Sequence, residues 1–159
     1  MKAQAIPKTL TKNRRLFKVT VYTWEGRTTV DLDEYVVVSC FLRKRLSIGK
    51  TKQVRAVKND PKYVNSKGQL TGAYVSKYDE LKFNDVLRDE LPHGVYTTPL
   101  QAYKYAVEAA EEWLKRLESS EVSEEDQDVH DVDIAEAKKE LKSVKAALTR
   151  YKKKQQTKK

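Results

Sequence analysis

The hydrophobic period of this chain changes once, at Thr97, and that change restricts the fold more than any motif does. Upstream, apolar residues alternate with polar ones, as in a half-buried strand; downstream they recur every third or fourth residue, as on one face of a helix. Upstream, Phe17, Val19 and Val21 lie on one side of an extended segment, and Lys18, Thr20, Tyr22 and Trp24 on the other. Glu25-Gly26 supplies a turn, and Arg27 to Leu32 returns as the partner strand. The run Tyr35-Val36-Val37-Val38-Ser39-Cys40-Phe41-Leu42 is β-branched and aromatic, the composition that a pleated surface favours. Continued through Leu46 and Ile48, its even positions are apolar apart from Lys44, which assigns them inward. Tyr35, Val37, Ser39, Phe41, Arg43 and Arg45 then face out. Gly49-Lys50 turns the chain, and Thr51 to Lys58 returns with Val54 and Ala56 inward, an antiparallel hairpin over about 35–58.

Asn59 to Gly72 concentrates turn chemistry in Asn-Asp-Pro, Asn-Ser-Lys-Gly and Thr-Gly, and reads as a long irregular excursion. Short strands are expected at Ala73 to Tyr78 and Leu81 to Phe83, a short helix over Asn84 to Leu91, and an extended step at Val95-Tyr96.

Past the switch, Thr98, Pro99 and Gln101 compose a helix start with a capping box. Leu100, Tyr103, Val107, Ala110, Leu114 and Leu117 recur at spacings of 3, 4, 3, 4 and 3, widened by Ala106 and Trp113. Ile134, Ala137, Leu141, Val144, Leu148 and Tyr151 repeat the same spacing. Two matching seams predict an antiparallel helical hairpin; the same seams would also serve packing of the first helix on the sheet, or self-association. The fold class is therefore α+β: an N-terminal antiparallel β domain, a small barrel-like or curled sheet, followed by a C-terminal two-helix hairpin. The expected organisation is a flexible basic arm at 1–15, the β domain at 16–98, the hairpin at 99–151 with an acidic linker at 118–133, and a disordered basic tail at 152–159.

Charge is distributed in blocks. The 159 residues hold 32 Lys+Arg against 23 Asp+Glu, a formal net of +9. Residues 1–58 carry +10, 59–98 carry −1, 99–133 carry −8 and 134–159 carry +8. Two basic blocks thus flank an acidic one, which either folds back on a basic block or leaves it open to a polyanion. The single Cys40 excludes an internal disulfide framework and a cysteine-rich zinc module, and on its strand it reads as a small core residue. No apolar run approaches the ~20 residues of a spanning helix, and Met1-Lys2-Ala3-Gln4 opens no secretory signal. A cytoplasmic protein with no membrane association is expected.

Basic and aromatic residues interleave on the predicted outer face: Arg43, Arg45 and Arg55, with Lys50 and Lys52 at the turn, Lys58 at its end and Phe41 beside them. Lys18, Tyr22 and Trp24 repeat the pattern on the first strand, Arg14 and Arg15 precede it, and Lys152, Lys153 and Lys154 add a second basic patch. Arginine and lysine contact phosphates and flat rings stack on bases, so the pattern points to non-catalytic, low-specificity binding of nucleic acid, DNA or RNA. A small accessory module that binds a protein, as mobile elements and phages carry, is the alternative reading.

Catalytic patterns are weak. Gly49-Lys50-Thr51 imitates the end of a phosphate-binding loop, but Lys44 stands where a glycine is required and a strand follows instead of a helix. Asp60 with Glu80-Leu81-Lys82 imitates a metal-dependent nuclease, yet Glu-x-Lys also occurs at Glu136-Ala137-Lys138 and Glu140-Leu141-Lys142 on a helix face. His93 sits in a Pro-His-Gly turn and His130 in the acidic stretch, neither placed as a triad base. No catalytic residue, metal, cofactor or small-molecule substrate is expected.

Overall fold

The computed structural model describes residues 4–45, 49–84, 90–123 and 126–157. In chain order the elements are β1 (Arg15–Trp24), β2 (Arg27–Arg45), β3 (Gly49–Lys58), β4 (Glu80–Asn84), β5 (Val95–Tyr96), α1 (Pro99–Ser119) and α2 (Gln127–Gln156). The fold is α+β, with one antiparallel sheet in the order β4-β3-β2-β1-β5 followed by the two helices. The sheet is open, not a barrel: its edges are β4 and β5, strands of five and two residues. The strand expected at Ala73 to Tyr78 does not form; that segment, like Asn59 to Gly72, is irregular. The helix expected at Asn84 to Leu91 falls largely on 85–89, outside the described residues.

The contacts gather into two units, and β1 and β2 run through both. The strand unit comprises Lys2–Lys18 and Asp33–Thr98; the helical unit comprises Val19–Leu32 and Pro99–Lys159.

In the strand unit the sheet is buried on both faces. Leu16, Tyr35, Val37, Val54, Ala56, Leu91 and Val95 pack together on one face with Ile6 and Leu10. Val36, Val38 and Val57 pack on the other with Tyr63 and Val64 of the irregular excursion. Full burial of a valine or leucine contributes about 1.5–3 kcal/mol, so this double layer is the main stabilising element of the unit. The register explains both layers. Val37 pairs Ala56, but Ser39, not Val38, pairs Arg55, so a β-bulge at Val38 inserts one residue into β2. Odd positions face the first cluster before the bulge and even ones after it. The uninterrupted alternation read from the sequence is corrected here: Tyr35 and Val37 are core, not surface.

The segment read as a loose arm is docked over its described residues. Ile6 and Leu10 are buried, the Cys40 thiol donates to the Leu10 carbonyl at 3.3 Å, and the Leu91 N–H donates to the Gln4 carbonyl at 2.7 Å. Two isolated apolar residues among lysines give no periodic signal, which is why sequence reading leaves this stretch unplaced.

In the helical unit, Glu25 and Gly26 both take left-handed backbone, at φ 48° and 71°, as the tight two-residue turn of a twisted hairpin requires. The Thr23 hydroxyl lies 3.1 Å from that of Thr28 across the hairpin and donates to Glu140 of α2 at 2.8 Å. The helices run antiparallel, with Glu118 against Lys138 at 3.3 Å, Glu111 against Lys145 at 2.8 Å, and the rings of Tyr103 and Tyr151 at 5.3 Å. Ala102, Tyr103 and Ala106 are the buried residues of α1, whereas Trp113 is 51% exposed and does not widen the seam. Helix α2 begins at Gln127, so Asp128 lies on its first turn, where negative charge is favoured, and Asp131 and Asp133 follow within the helix and not in a linker. It continues through Lys152, Lys153 and Lys154, which sequence reading assigns to a frayed tail.

Candidate nucleic-acid interface

A turn in front of β1 builds an open basic surface on the strand unit. The Arg14 N–H donates to the Thr11 carbonyl at 3.3 Å, and Asn13 within this turn has φ 68°, a left-handed conformation that asparagine tolerates. The turn is stapled to β2: the Asn13 N–H donates to the Val37 carbonyl at 2.8 Å, and the Val37 N–H to that of Arg14 at 2.9 Å. On its other flank stands the Asn65–Gly68 loop, closed by the Asn65 side-chain oxygen, which accepts from the N–H groups of Lys67 at 2.9 Å and Gln69 at 3.0 Å. Gly68 has φ 72°, left-handed backbone that favours glycine, and a Cβ there would displace the Asn13 side-chain amide.

Asn13 and Arg15 form a ridge between two clefts of about 540 Å³ each. One is lined by Thr9, Leu10, Arg14, Phe17 and Thr97, the other by Asn59, Ser66, Lys67 and Gly68. Lys12, Arg14 and Lys67 are exposed and make no side-chain ion pair among the described residues. Arg15 lies 2.9 Å from Glu34 and is itself largely exposed.

The cations expected on the β2–β3 hairpin fare differently. Arg55 is bonded to Glu80, which also holds Lys82 at 2.6 Å. Burial of Glu80 disfavours its charge, but the hydrogen bonds from Lys82 and Arg55 outweigh that and hold its carboxyl below the usual carboxylate range. Lys58 sits 2.6 Å from Asp33, whose hydrogen bond pushes the lysine above its ordinary pKa. The Lys52 ammonium donates to the carbonyls of Pro7 and Lys8 at 3.4 and 3.3 Å, fastening the N-terminal segment. Arg43 and Arg45 pair Thr51 and Gly49 in the ladder, and Lys50 pairs Lys44; their side chains lie outside the described part. Phe41 is exposed on the same face as Arg55, at a cleft of about 260 Å³.

Of the remaining sequence-derived residues, Lys18 is half-buried opposite Val95, Tyr22 and Trp24 stand out from β1, and Lys152, Lys153 and Lys154 are exposed on α2. Sequence reading missed Lys12 and Lys67, and also Tyr74 and Tyr78, which are 86% and 79% exposed in the excursion, with the Lys77 ammonium over the Tyr78 ring at 5.0 Å. The Asn-Ser-Lys-Gly turn is the signal that would have found Lys67. Asp60 accepts from the Lys62 N–H at 2.8 Å, and no cluster of three or more His, Cys, Asp or Glu residues suited to a metal occurs among the described residues.

Comparison with protein-family models, with curated proteins and with solved structures finds no match to this chain.

Proposed function

We propose that this protein binds nucleic acid without catalysing a reaction, contacting mainly phosphates and reading little sequence. The observation that carries this reading is the set of cations at the Asn13 turn that form no ion pair among the described residues, Lys12, Arg14 and Lys67, with Arg15 beside them. They stand on a strand unit whose sequence holds 18 Lys+Arg against 8 Asp+Glu, a net of +10. Phosphate is the anion that such a cluster recognises by charge and by the arginine fork. A cytoplasmic location accompanies the reading, and no described helix is long and apolar enough to cross a membrane. The test is a salt titration of oligonucleotide binding. Four phosphate contacts give a log–log slope of about −3 to −4, and retention of no oligonucleotide in dilute buffer overturns the proposal.

A second reading, a module that docks a partner protein, draws on Trp113, Val129 and Val132, exposed on the helical unit. It expects Trp113→Ala to abolish function while oligonucleotide binding is weak or absent throughout.

A further inference from the structure

The two clefts beside the Asn13–Arg15 ridge distinguish the kinds of nucleic acid that the ridge suits. Each is a depression of about 540 Å³, open to solvent. A duplex keeps its bases stacked inside and offers a convex backbone; it can lay phosphates on the ridge but has nothing to place in the concavities. A single strand can splay its bases out of the stack while its phosphates follow the cations. The linings suit that division of labour. Phe17 and Leu10 give one cleft a flat and an apolar wall, with Arg14 at the side. The other is polar, with Ser66 and Lys67. The hydroxyls of Thr9 and Ser66 make no hydrogen bond among the described residues, so each cleft holds an uncommitted group for a base edge. Backbone hydrogen bonds from Asn13 to Val37 and from Val37 to Arg14 tie the ridge to β2.

We propose that this ridge and its two clefts hold an extended single strand, with successive phosphates on Arg14, Arg15 and Lys67 and unpaired bases in the concavities. This rests on the nucleic-acid reading above. The test measures fluorescence anisotropy of the full chain with a labelled single-stranded oligonucleotide, the duplex of the same sequence, and a nucleoside 5′-monophosphate as competitor. The single strand is expected to bind about tenfold more tightly than the duplex at equal salt, and the monophosphate to compete only weakly. Thr9→Ile and Ser66→Ile, which narrow the clefts and remove the hydroxyls without adding a ring for bases to stack on, are expected to remove most of that preference; Phe17→Leu does the same provided its melting curve is unaltered. Equal or tighter duplex binding, a preference untouched by Thr9→Ile and Ser66→Ile, or a monophosphate that competes as well as the polymer overturns the inference and leaves the nucleic-acid reading standing. Failure of both oligonucleotides to bind overturns the reading itself.

Discussion

The two units hold comparable numbers of basic residues, 18 in the strand unit and 14 in the helical unit, yet their sequences carry net charges of +10 and −1. In the helical unit, lysines of α2 meet glutamates of α1, as in Lys138 with Glu118 and Lys145 with Glu111. The acidic block that the sequence places between two basic ones is thus spent, in part, within its own helical hairpin. In the strand unit a few acids take several cations, Glu80 holding both Arg55 and Lys82, and the turn before β1 is left with a surplus. Composition alone does not separate these cases. A lysine facing a carboxylate across a helix pair aligns structure, whereas one with no such neighbour is available to a ligand.

That contrast can be broken or sharpened by mutation. The largest effect is expected from the cores. Val37→Ala, at a fully buried position in a strand covered on both faces, should cost about 2–3 kcal/mol in urea denaturation. Val144→Ala in α2 should cost less, about 1–2 kcal/mol, because half-buried Leu141 and Leu148 beside it have room to collapse into the space. Equal losses would mean that the helical unit is packed as rigidly as the strand unit.

Next comes charge reversal: Lys12→Glu with Arg14→Glu should weaken oligonucleotide binding about thirtyfold, or ~2 kcal/mol, with the melting temperature unchanged. Glu80→Gln should lower stability at neutral pH by about 1.5 kcal/mol. Because the folded-state pKa of Glu80 is depressed, its contribution is present above the ordinary glutamate range and is lost as pH falls through the lowered value. Acid denaturation of the variant should therefore be flatter over that window. The same change releases Arg55 and should strengthen oligonucleotide binding slightly, an opposite sign that separates stability from affinity. The smallest effect is expected from Lys152→Glu with Lys153→Glu, less than about threefold in affinity; a loss equal to that at Lys12 and Arg14 would end the distinction between the units.

Local signals were legible in proportion to how local their cause is. Glu25-Gly26 and the seam spacings depend on neighbours a few residues away, and both the tight turn and the antiparallel helices form as read. The pairing of β2 with β3 was also readable from its two apolar runs, although Gly49 and Lys50, read as the turn, belong to β3 and pair with Arg45 and Lys44. What escaped was set by distant chain. The docking of Ile6 and Leu10 depends on a surface assembled from β2, β3 and the residues near Leu91. Of the candidate site, Arg14 and Arg15 were recognised, while Lys67 is brought to the same cleft by a loop more than fifty residues away in sequence. The ion pairs of Arg55 and Lys58 were hidden for a related reason: their carboxylate partners, Glu80 and Asp33, belong to other strands.

The inserted residue at Val38 acts as a parity switch for the ribbon it interrupts. Upstream of it Tyr35 and Val37 serve the larger cluster; downstream Cys40 takes that side, leaving Phe41 on the opposite side with Arg55. Deleting Val38 would shorten the chain by a trivial length, yet it would roll every later side chain of β2 through half a turn, sending Phe41 inward and Cys40 outward. A length change in the 59–79 excursion flips no strand face; it acts instead through Tyr63 and Val64, which cover the other side of the sheet. Natural or designed variants of this chain should therefore hold the residue count of β2 constant.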